Sequence, residues 1–150
     1  MTRLLFGEIA GYPEGSTFKD RWALHIAGVH RPTQAGICGS GKEGAESIVL
    51  NGGYEDDEDG GDVIIYTGQG GIDRNTGEPI ADQELTRGNL ALTRNKKGGK
   101  PVRVIRGAKN PGPYGPKIGF RYDGLYGIED YWSAKGNAGY LIWRFKLVKE

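Results

Sequence analysis

The chain has 150 residues, of which 37% are hydrophobic and 26% charged, and its formal net charge is +1. This composition is typical of a folded globular protein, expected as a single domain over residues 1–150, and no apolar run is long enough to span a membrane. The single Cys38 excludes an intramolecular disulfide and fits a reducing compartment. The 27 glycines favour a fold rich in strands and turns.

The first half of the chain predicts short strands separated by loops. Residues 20–27 fit a short helix or a loop equally well. Residues 30–37 (HRPTQAGI) read as a loop that leads into a strand, with Pro32 fixing its start. The β-branched segments ESIVL (residues 46–50) and VIIYT (residues 63–67) predict two further strands.

The second half predicts one helix followed by three strands. Residues 82–92 have a helical pattern, with Asp82 as the N-cap. Valine and arginine alternate in residues 101–106, which predicts a half-exposed strand. Residues 122–131 and 139–148 predict the last strands. Mostly strands with one or two helices indicate an α+β, mainly β fold: a twisted sheet or a partly open barrel.

The small net charge hides a strong asymmetry along the chain. Residues 85–122 hold ten of the 20 basic residues and no acid, whereas residues 54–62 hold six of the 19 acids. The basic residues are Arg87, Arg94, Lys96, Lys97, Lys100, Arg103, Arg106, Lys109, Lys117 and Arg121. Because a local basic surface is enough to attract a polyanion, a nucleic-acid partner is compatible with this sequence.

Two segments partly match ligand-binding motifs, one for phosphate and one for calcium, but each lacks a residue that the motif requires. Residues 36–43 (GICGSGKE) are close to a phosphate-binding loop, but Glu43 stands where Ser or Thr must bind magnesium, so a hairpin turn is the better interpretation. Residues 57–68 begin like a calcium loop but end on Gly68, where a bidentate Glu is needed. One cysteine and two histidines also make a zinc site improbable. We therefore expect no metal and no cofactor.

Several spaced motifs together resemble the SRA domain, also called the YDG domain after residues 122–124. They are AGVHRPTQAGI, NGGYEDDEDGGD, YTGQGG, RGNLAL, PVRVIRG, RYDGLY and WRFKLV, and the resemblance as a whole extends from about Phe6 to Val148. The resemblance implies a twisted, crescent-shaped β-barrel with short flanking helices. It also implies binding to DNA that contains 5-methylcytosine, with the modified base flipped into a pocket. The segments TGQGG and RGNLAL look closer to plant and bacterial versions than to the animal reader.

The acidic run suits such a pocket. A flipped cytosine exposes an amine donor where thymine has a carbonyl, so one carboxylate can accept from cytosine and repel thymine. The resemblance assigns this role to Asp57, with Tyr54 and Tyr66 stacking on the two faces of the base. The other acids of the run are expected to be structural. The implied modified-base pocket consists of Gly53, Tyr54, Asp57, Tyr66, Thr67, Gly68 and Gln69.

The resemblance also implies how the rest of the duplex is held. Gln34 corresponds to a finger that enters the DNA and fills the space left by the flipped base. The basic residues predicted to contact phosphates are Arg31, Lys96, Lys97 and Lys100. The segment RNTGEPIA (residues 74–81) lacks the Asn-Lys-Arg of a second finger, so a preference for hemimethylated sites is not expected.

The expected function is a reader of double-stranded DNA that contains 5-methylcytosine, rather than an enzyme, and the sequence leaves open whether 5-hydroxymethylcytosine is bound as well. Two alternatives stay open: the sensor component of a modification-dependent restriction system whose nuclease lies elsewhere, and a base-acting enzyme such as a glycosylase. A nuclease or a chromatin-modifying protein is the expected partner, with no membrane involved. The expected location is the nucleus in a eukaryote or the cytoplasm and nucleoid in a bacterium, not outside the cell.

Overall fold

The computed structural model describes residues 4–150, which form two helices and eight strands. The elements are β1 (Thr17–Phe18), α1 (Arg21–Ala27), β2 (Ile37–Ser40), β3 (Gly44–Leu50), β4 (Glu58–Asp59), β5 (Val63–Thr67), α2 (Arg87–Gly98), β6 (Val102–Gly107), β7 (Phe120–Lys135) and β8 (Leu141–Lys149). Neither helix of this described part is long and apolar enough to cross a membrane.

The strands form one open sheet in the order β2-β3-β6-β7-β8-β5-β4, and β1 pairs with β7 beside this path. The β3–β6 pair is parallel, and the other neighbouring pairs are antiparallel. The prediction of an α+β, mainly β fold with short helices beside a partly open sheet is confirmed. The hairpin turn predicted within residues 36–43 is also confirmed, since it joins β2 to β3.

Two apolar clusters attach the helices to the sheet. The larger cluster includes Ile48, Ile64, Leu92, Phe145 and Leu147, and it holds α2 against β2, β3 and β7. A second cluster lies under α1 and consists of Phe18, Leu24, Val29, Val49, Ile105 and Tyr122. Full burial of one such side chain contributes about 1.5–3 kcal/mol, so both helices are firmly placed.

Helix α1 resolves the ambiguity of residues 20–27. The Asp20 side chain accepts a hydrogen bond from the Ala23 N–H at 2.9 Å and caps the first turn. Gly28 ends the helix with a φ of 76°, a left-handed conformation that glycine adopts without strain.

The helix predicted over residues 82–92 is confirmed for residues 87–92, but its bounds are wrong: α2 begins at Arg87 and continues to Gly98. Asp82 is not its N-cap: its carboxylate accepts a hydrogen bond from the Leu141 N–H at 2.8 Å and ties the preceding segment to β8. Lys96 and Lys97 consequently lie in the last turn of this helix.

Strand β6 was predicted to be half-exposed, and this is also wrong. All six of its residues are buried, because β6 lies inside the sheet between β3 and β7. Arg103 pairs with Glu46 at 3.3 Å, and Arg106 pairs with Asp59 at 2.7 Å. These two arginines of the basic segment are therefore structural and do not form part of a surface for DNA.

Candidate nucleic-acid interface

Asp57 ends a tight turn that begins at Tyr54. Its N–H donates to the Tyr54 carbonyl at 3.3 Å. One of its carboxylate oxygens accepts from the Thr67 N–H at 2.7 Å, at the end of β5. Burial raises the pKa of Asp57 from 3.8 to about 6, and the Thr67 N–H opposes that rise. Asp57 is thus a largely buried carboxyl group with a fixed orientation.

The acids beside Asp57 have structural roles, as the sequence predicted. Asp56 accepts a backbone N–H of the β7–β8 hairpin at 3.0 Å. Glu58 pairs with Arg144 at 2.6 Å, and Asp59 receives two hydrogen bonds from Arg106. These contacts fix both ends of the turn that presents Asp57.

The two tyrosines of the predicted pocket lie next to Asp57, whose charge is among the causes that raise the pKa of both. Burial is the largest cause, and it acts most strongly on Tyr66. The Tyr66 hydroxyl donates to the carbonyl of Gly36 at 3.2 Å and lies 3.3 Å from a β3 carbonyl. Tyr54 is only partly buried, and its hydroxyl accepts from the Gly70 N–H at 3.1 Å. The Tyr66 ring is therefore a buried, fixed wall of the predicted pocket, whereas the Tyr54 ring is a wall that is more exposed to solvent.

Thr67 and Gly68 continue from the wall formed by Tyr66. The Thr67 hydroxyl is buried beside Asp57 but has no hydrogen-bond partner of acceptable geometry in residues 4–150. A Cβ on Gly68 would lie 2.7 Å from Asn89 Oδ1 and 2.9 Å from Gln83 Oε1, so only glycine fits there.

The position of Gln69 depends on α2. Asn89 accepts from the Gln69 N–H at 2.8 Å and donates to the Gln69 carbonyl at 2.9 Å. A Cβ on Gly88 would lie 2.8 Å from Gln69 Nε2, so that glycine leaves room for the Gln69 side chain. These contacts give the Gly and Asn of the motif RGNLAL a physical reason that the sequence alone did not reveal.

A cavity of about 440 Å³ adjoins the predicted base site. It is lined by Gly53, Tyr54, residues of the segment 70–83 and residues of the β7–β8 hairpin. Asp57 and Tyr66 do not line it, so the cavity meets the base site at Tyr54 rather than coinciding with it. Gly53 is exposed, and an added Cβ would meet no atom within 4 Å.

The loop from residue 31 to residue 36, here called the finger loop, joins α1 to β2. Gln34 is exposed on it, as the finger prediction requires. Arg31 is less available for a phosphate, because its Nε donates to Glu46 Oε1 at 2.7 Å. This pair raises the pKa of Arg31 and anchors the start of the finger loop to β3.

The predicted phosphate-binding lysines lie at the far end of α2. Lys96 and Lys97 are exposed, whereas the Lys100 ammonium donates to the Glu43 carbonyl at 3.1 Å and lies 4.5 Å from the centre of the Phe6 ring. A helix of 12 residues is about 18 Å long, at ~1.5 Å per residue. Asn89, beside the base site, precedes Lys96 and Lys97 by seven and eight residues, so the lysines lie about 10–12 Å further along the helix axis.

A family model described as the SAD/SRA domain matches residues 5–150 of the chain. The chain belongs to the SAD/SRA family. This SRA domain is 43% identical over 165 residues to E3 ubiquitin-protein ligase UHRF1 of Danio rerio, and the match covers 96% of this chain and 21% of that protein. The chain spans about a fifth of the length of the curated relatives it matches.

Solved structures are similar over almost the whole SRA domain. The modification-dependent TagI restriction endonuclease is 51% identical with a TM-score of 0.94, and the match covers 97% of this chain and 52% of that one. The SRA domain of SUVH5 bound to fully hydroxymethylated CG DNA is 42% identical with a TM-score of 0.84, and here the match covers 98% and 95%.

Proposed function

We propose that this SRA domain binds double-stranded DNA containing a modified cytosine and holds the flipped base at Asp57, between Tyr54 and Tyr66. The observation that carries the proposal is the environment of Asp57. Its carboxyl group is largely buried, is oriented by the Thr67 N–H at 2.7 Å and lies next to both tyrosines.

The chemistry of this arrangement suits cytosine. The second carboxylate oxygen of Asp57 accepts from the exocyclic amine of the flipped base, while a thymine carbonyl at that place is repelled. The Thr67 hydroxyl, which is buried beside Asp57, supplies a further polar contact to the base edge. Stacking against the two tyrosine rings contributes about 1–3 kcal/mol per base, which offsets part of the cost of unstacking the duplex.

The methyl group of the modified base adds only a small amount to the free energy of binding. Burial of one methyl group contributes roughly 0.8 kcal/mol, or about fourfold in affinity. We therefore expect a modest preference for 5-methylcytosine over cytosine, with Gln69 near the modified carbon. Acceptance of 5-hydroxymethylcytosine is supported by the solved complex of the SUVH5 SRA domain with hydroxymethylated CG DNA.

The remaining contacts position the duplex. Gln34 enters the stack where the flipped base was, and the exposed Lys96 and Lys97 bind phosphates through charge. Lys100 and Arg31 contribute less than the sequence implied, because both side chains already have partners within the protein. Because the phosphate contacts do not depend on the base and the pocket contacts do, we expect weak, salt-dependent binding to any duplex and tighter binding to a modified one.

A second candidate is the sensor component of a modification-dependent restriction system. The similarity to the TagI restriction endonuclease, of which this chain covers 52%, favours it. In either case residues 1–150 act as one domain that reads the base and does not alter it, and the partner is a nuclease or a chromatin-modifying protein. The location follows the partner: the nucleus in a eukaryote, or the cytoplasm and nucleoid in a bacterium.

The test is a competition titration at fixed salt with one duplex in unmodified, hemimethylated, fully methylated and hydroxymethylated forms. Tighter binding to a modified form by the wild type, and its loss in Asp57→Ala, is the expected result. Asp62→Ala is the matched control, because this acid of the same run is exposed and takes no part in the contacts that hold Asp57. Equal binding of the wild type to all four forms would overturn the proposal.

A further inference from the structure

The finger loop is held from inside by an unusual number of side chains. Five of its six carbonyl oxygens, those of residues 31, 32, 34, 35 and 36, accept a side-chain hydrogen bond. Loops on a protein surface usually leave such groups to water. The exposed Gln34 thus stands on a backbone that the protein has fixed in advance.

Arg21 makes most of these contacts. Its Nη1 donates to the carbonyl of Gln34 at 3.3 Å, and its Nη2 donates to Pro32 at 2.8 Å and to Ala35 at 2.6 Å. Arg21 is the first residue of α1, and the Asp20 cap and the buried Leu24 fix that helix end. A planar guanidinium presents several donors in a rigid fork, so it can serve three carbonyls at once.

His30 supports the same loop from below. It is completely buried, and burial lowers its pKa to about 3, so the imidazole is neutral at physiological pH. Because a carbonyl can only accept, Nε2–H donates to Ala35 at 2.9 Å, and Nδ1 accepts from the Ser47 hydroxyl at 2.7 Å. This contact does not depend on pH in the range used for DNA binding.

Tyr66 joins the finger loop to the base site. Its hydroxyl donates to the Gly36 carbonyl at 3.2 Å, while its ring is the buried wall beside Asp57. A Cβ on Gly36 would lie 3.0 Å from the Tyr66 hydroxyl, so a larger residue would push the loop and the wall apart. A shift of the finger loop is therefore transmitted directly to the pocket.

We propose that Arg21 is a positioning residue for base flipping: it holds the finger loop so that Gln34 is presented to the duplex in register with the pocket wall Tyr66. The inference rests on the function proposed above and concerns a residue that does not touch the base. Its benefit is preorganisation, since a loop that is already ordered does not lose conformational freedom when it enters DNA.

The experiment compares the wild type with Arg21→Lys, which keeps the positive charge but replaces the fork by a single ammonium group. The readout is the fluorescence of 2-aminopurine placed beside the methylated cytosine, which rises when the base unstacks. We expect Arg21→Lys to lower the affinity for the methylated duplex about tenfold and to reduce the fluorescence rise. Binding to the unmodified duplex and its salt dependence should stay unchanged, which a lost phosphate contact would not allow.

A double-mutant cycle with Gln34→Gly separates positioning from a general loss of stability. Because Arg21 acts through the finger, its substitution should have little further effect once Gln34 is gone. Additive losses would overturn the inference. Arg94→Lys is the matched control, since Arg94 Nε likewise donates to a loop carbonyl, that of Gly41 at 2.9 Å, but in the β2–β3 hairpin rather than in the finger loop. It should leave the fluorescence rise unchanged.

The outcomes for the two proposals are distinct. If the wild type does not prefer the methylated duplex, the proposed function fails. If the wild type prefers and unstacks the methylated site but Arg21→Lys matches it in both respects, the role of Arg21 alone is overturned.

Discussion

In the role proposed for Asp57, protein stability and DNA binding make opposite demands. Folding removes its carboxyl group from water and raises its pKa to about 6. Accepting a hydrogen bond from a cytosine amine requires the ionised form. The fold therefore keeps an anion partly desolvated so that a ligand donor can stabilise it, as is common at functional sites.

This conflict predicts a pH dependence of binding. Below pH 6 the free Asp57 carboxyl gains a proton and no longer accepts from the amine with the oxygen that carries it. The affinity for methylated DNA should be constant above about pH 7 and fall roughly tenfold per pH unit below 6. Binding titrations between pH 7.5 and 5 measure this, with the affinity for the methylated duplex divided by that for the unmodified duplex at each pH. An unchanged ratio of the two affinities down to pH 5 would contradict the role of Asp57.

The same shift predicts that Asp57→Asn stabilises the protein at neutral pH. The folded-state pKa is raised, so the folded state binds more protons between pH 4 and 6, and the contribution of Asp57 to stability falls as pH rises through that window. Two pKa units correspond to at most about 3 kcal/mol, and we expect a gain of about 1–3 kcal/mol at pH 7.5. Denaturant unfolding at pH 7.5 and pH 4 measures it, and the gain should disappear at pH 4. A gain that persists at pH 4 would show that ionisation is not its cause.

At the scale of elements, buried asparagines near the two ends of α2 hold two different segments of the chain by hydrogen bonds. Asn89 bonds both backbone groups of Gln69 and the Glu84 carbonyl near the base site. Asn95 bonds both backbone groups of Ala45 and the Lys100 carbonyl near the β2–β3 hairpin. Both side chains are buried, so the helix carries two equivalent clamps, only one of which touches the site.

These clamps make a matched pair of variants. Asn89→Ala and Asn95→Ala should each lower the free energy of unfolding by several kcal/mol, because each leaves buried backbone groups unsatisfied at about 1–3 kcal/mol apiece. Only Asn89→Ala should also reduce the ratio of affinities for methylated and unmodified duplexes. Thermal unfolding midpoints measure the loss of stability, and DNA-binding titrations at temperatures below those midpoints measure the ratio of affinities. Equal ratios for the two variants would show that Asn89 does not support the pocket.

Elements with local signals were predictable from the sequence, whereas those fixed by distant partners were not. The β-branched residues of β3 and β5 identified those strands directly. The start of α2 was misjudged because the partner of Asp82 is Leu141, 59 residues later. Arg103 and Arg106 looked exposed because their pairing with Glu46 and Asp59 is not visible in the alternating pattern. Asp57 was found through the family motif, and Arg21 was missed because the carbonyls it holds leave no trace in the sequence.

Across the whole molecule, charge and base recognition lie at separate places. The exposed Lys96 and Lys97 lie about 10–12 Å along α2 from Asn89, which is beside the base site. Each neutralised phosphate contributes about 0.9 to the slope of log affinity against log salt. Lys96→Ala and Lys97→Ala should each weaken modified and unmodified duplexes equally and reduce that slope by about 0.9. Lys100→Ala should have a smaller effect, because its ammonium is already bound to Glu43 and Phe6. A loss confined to methylated DNA would contradict this separation.

The central claim, that Asp57 reads the amine of a flipped cytosine, is tested most directly with two duplexes that differ at that position only. One carries 5-methylcytosine opposite guanine, and the other carries thymine, which has the same methyl group but a carbonyl in place of the amine. Although the mismatched thymine is easier to flip, the wild type should bind 5-methylcytosine at least about tenfold more tightly, because an unsatisfied or repelled group costs about 1–3 kcal/mol. Asp57→Asn should lose or reverse that preference. Equal affinity of the wild type for the two duplexes would contradict the account.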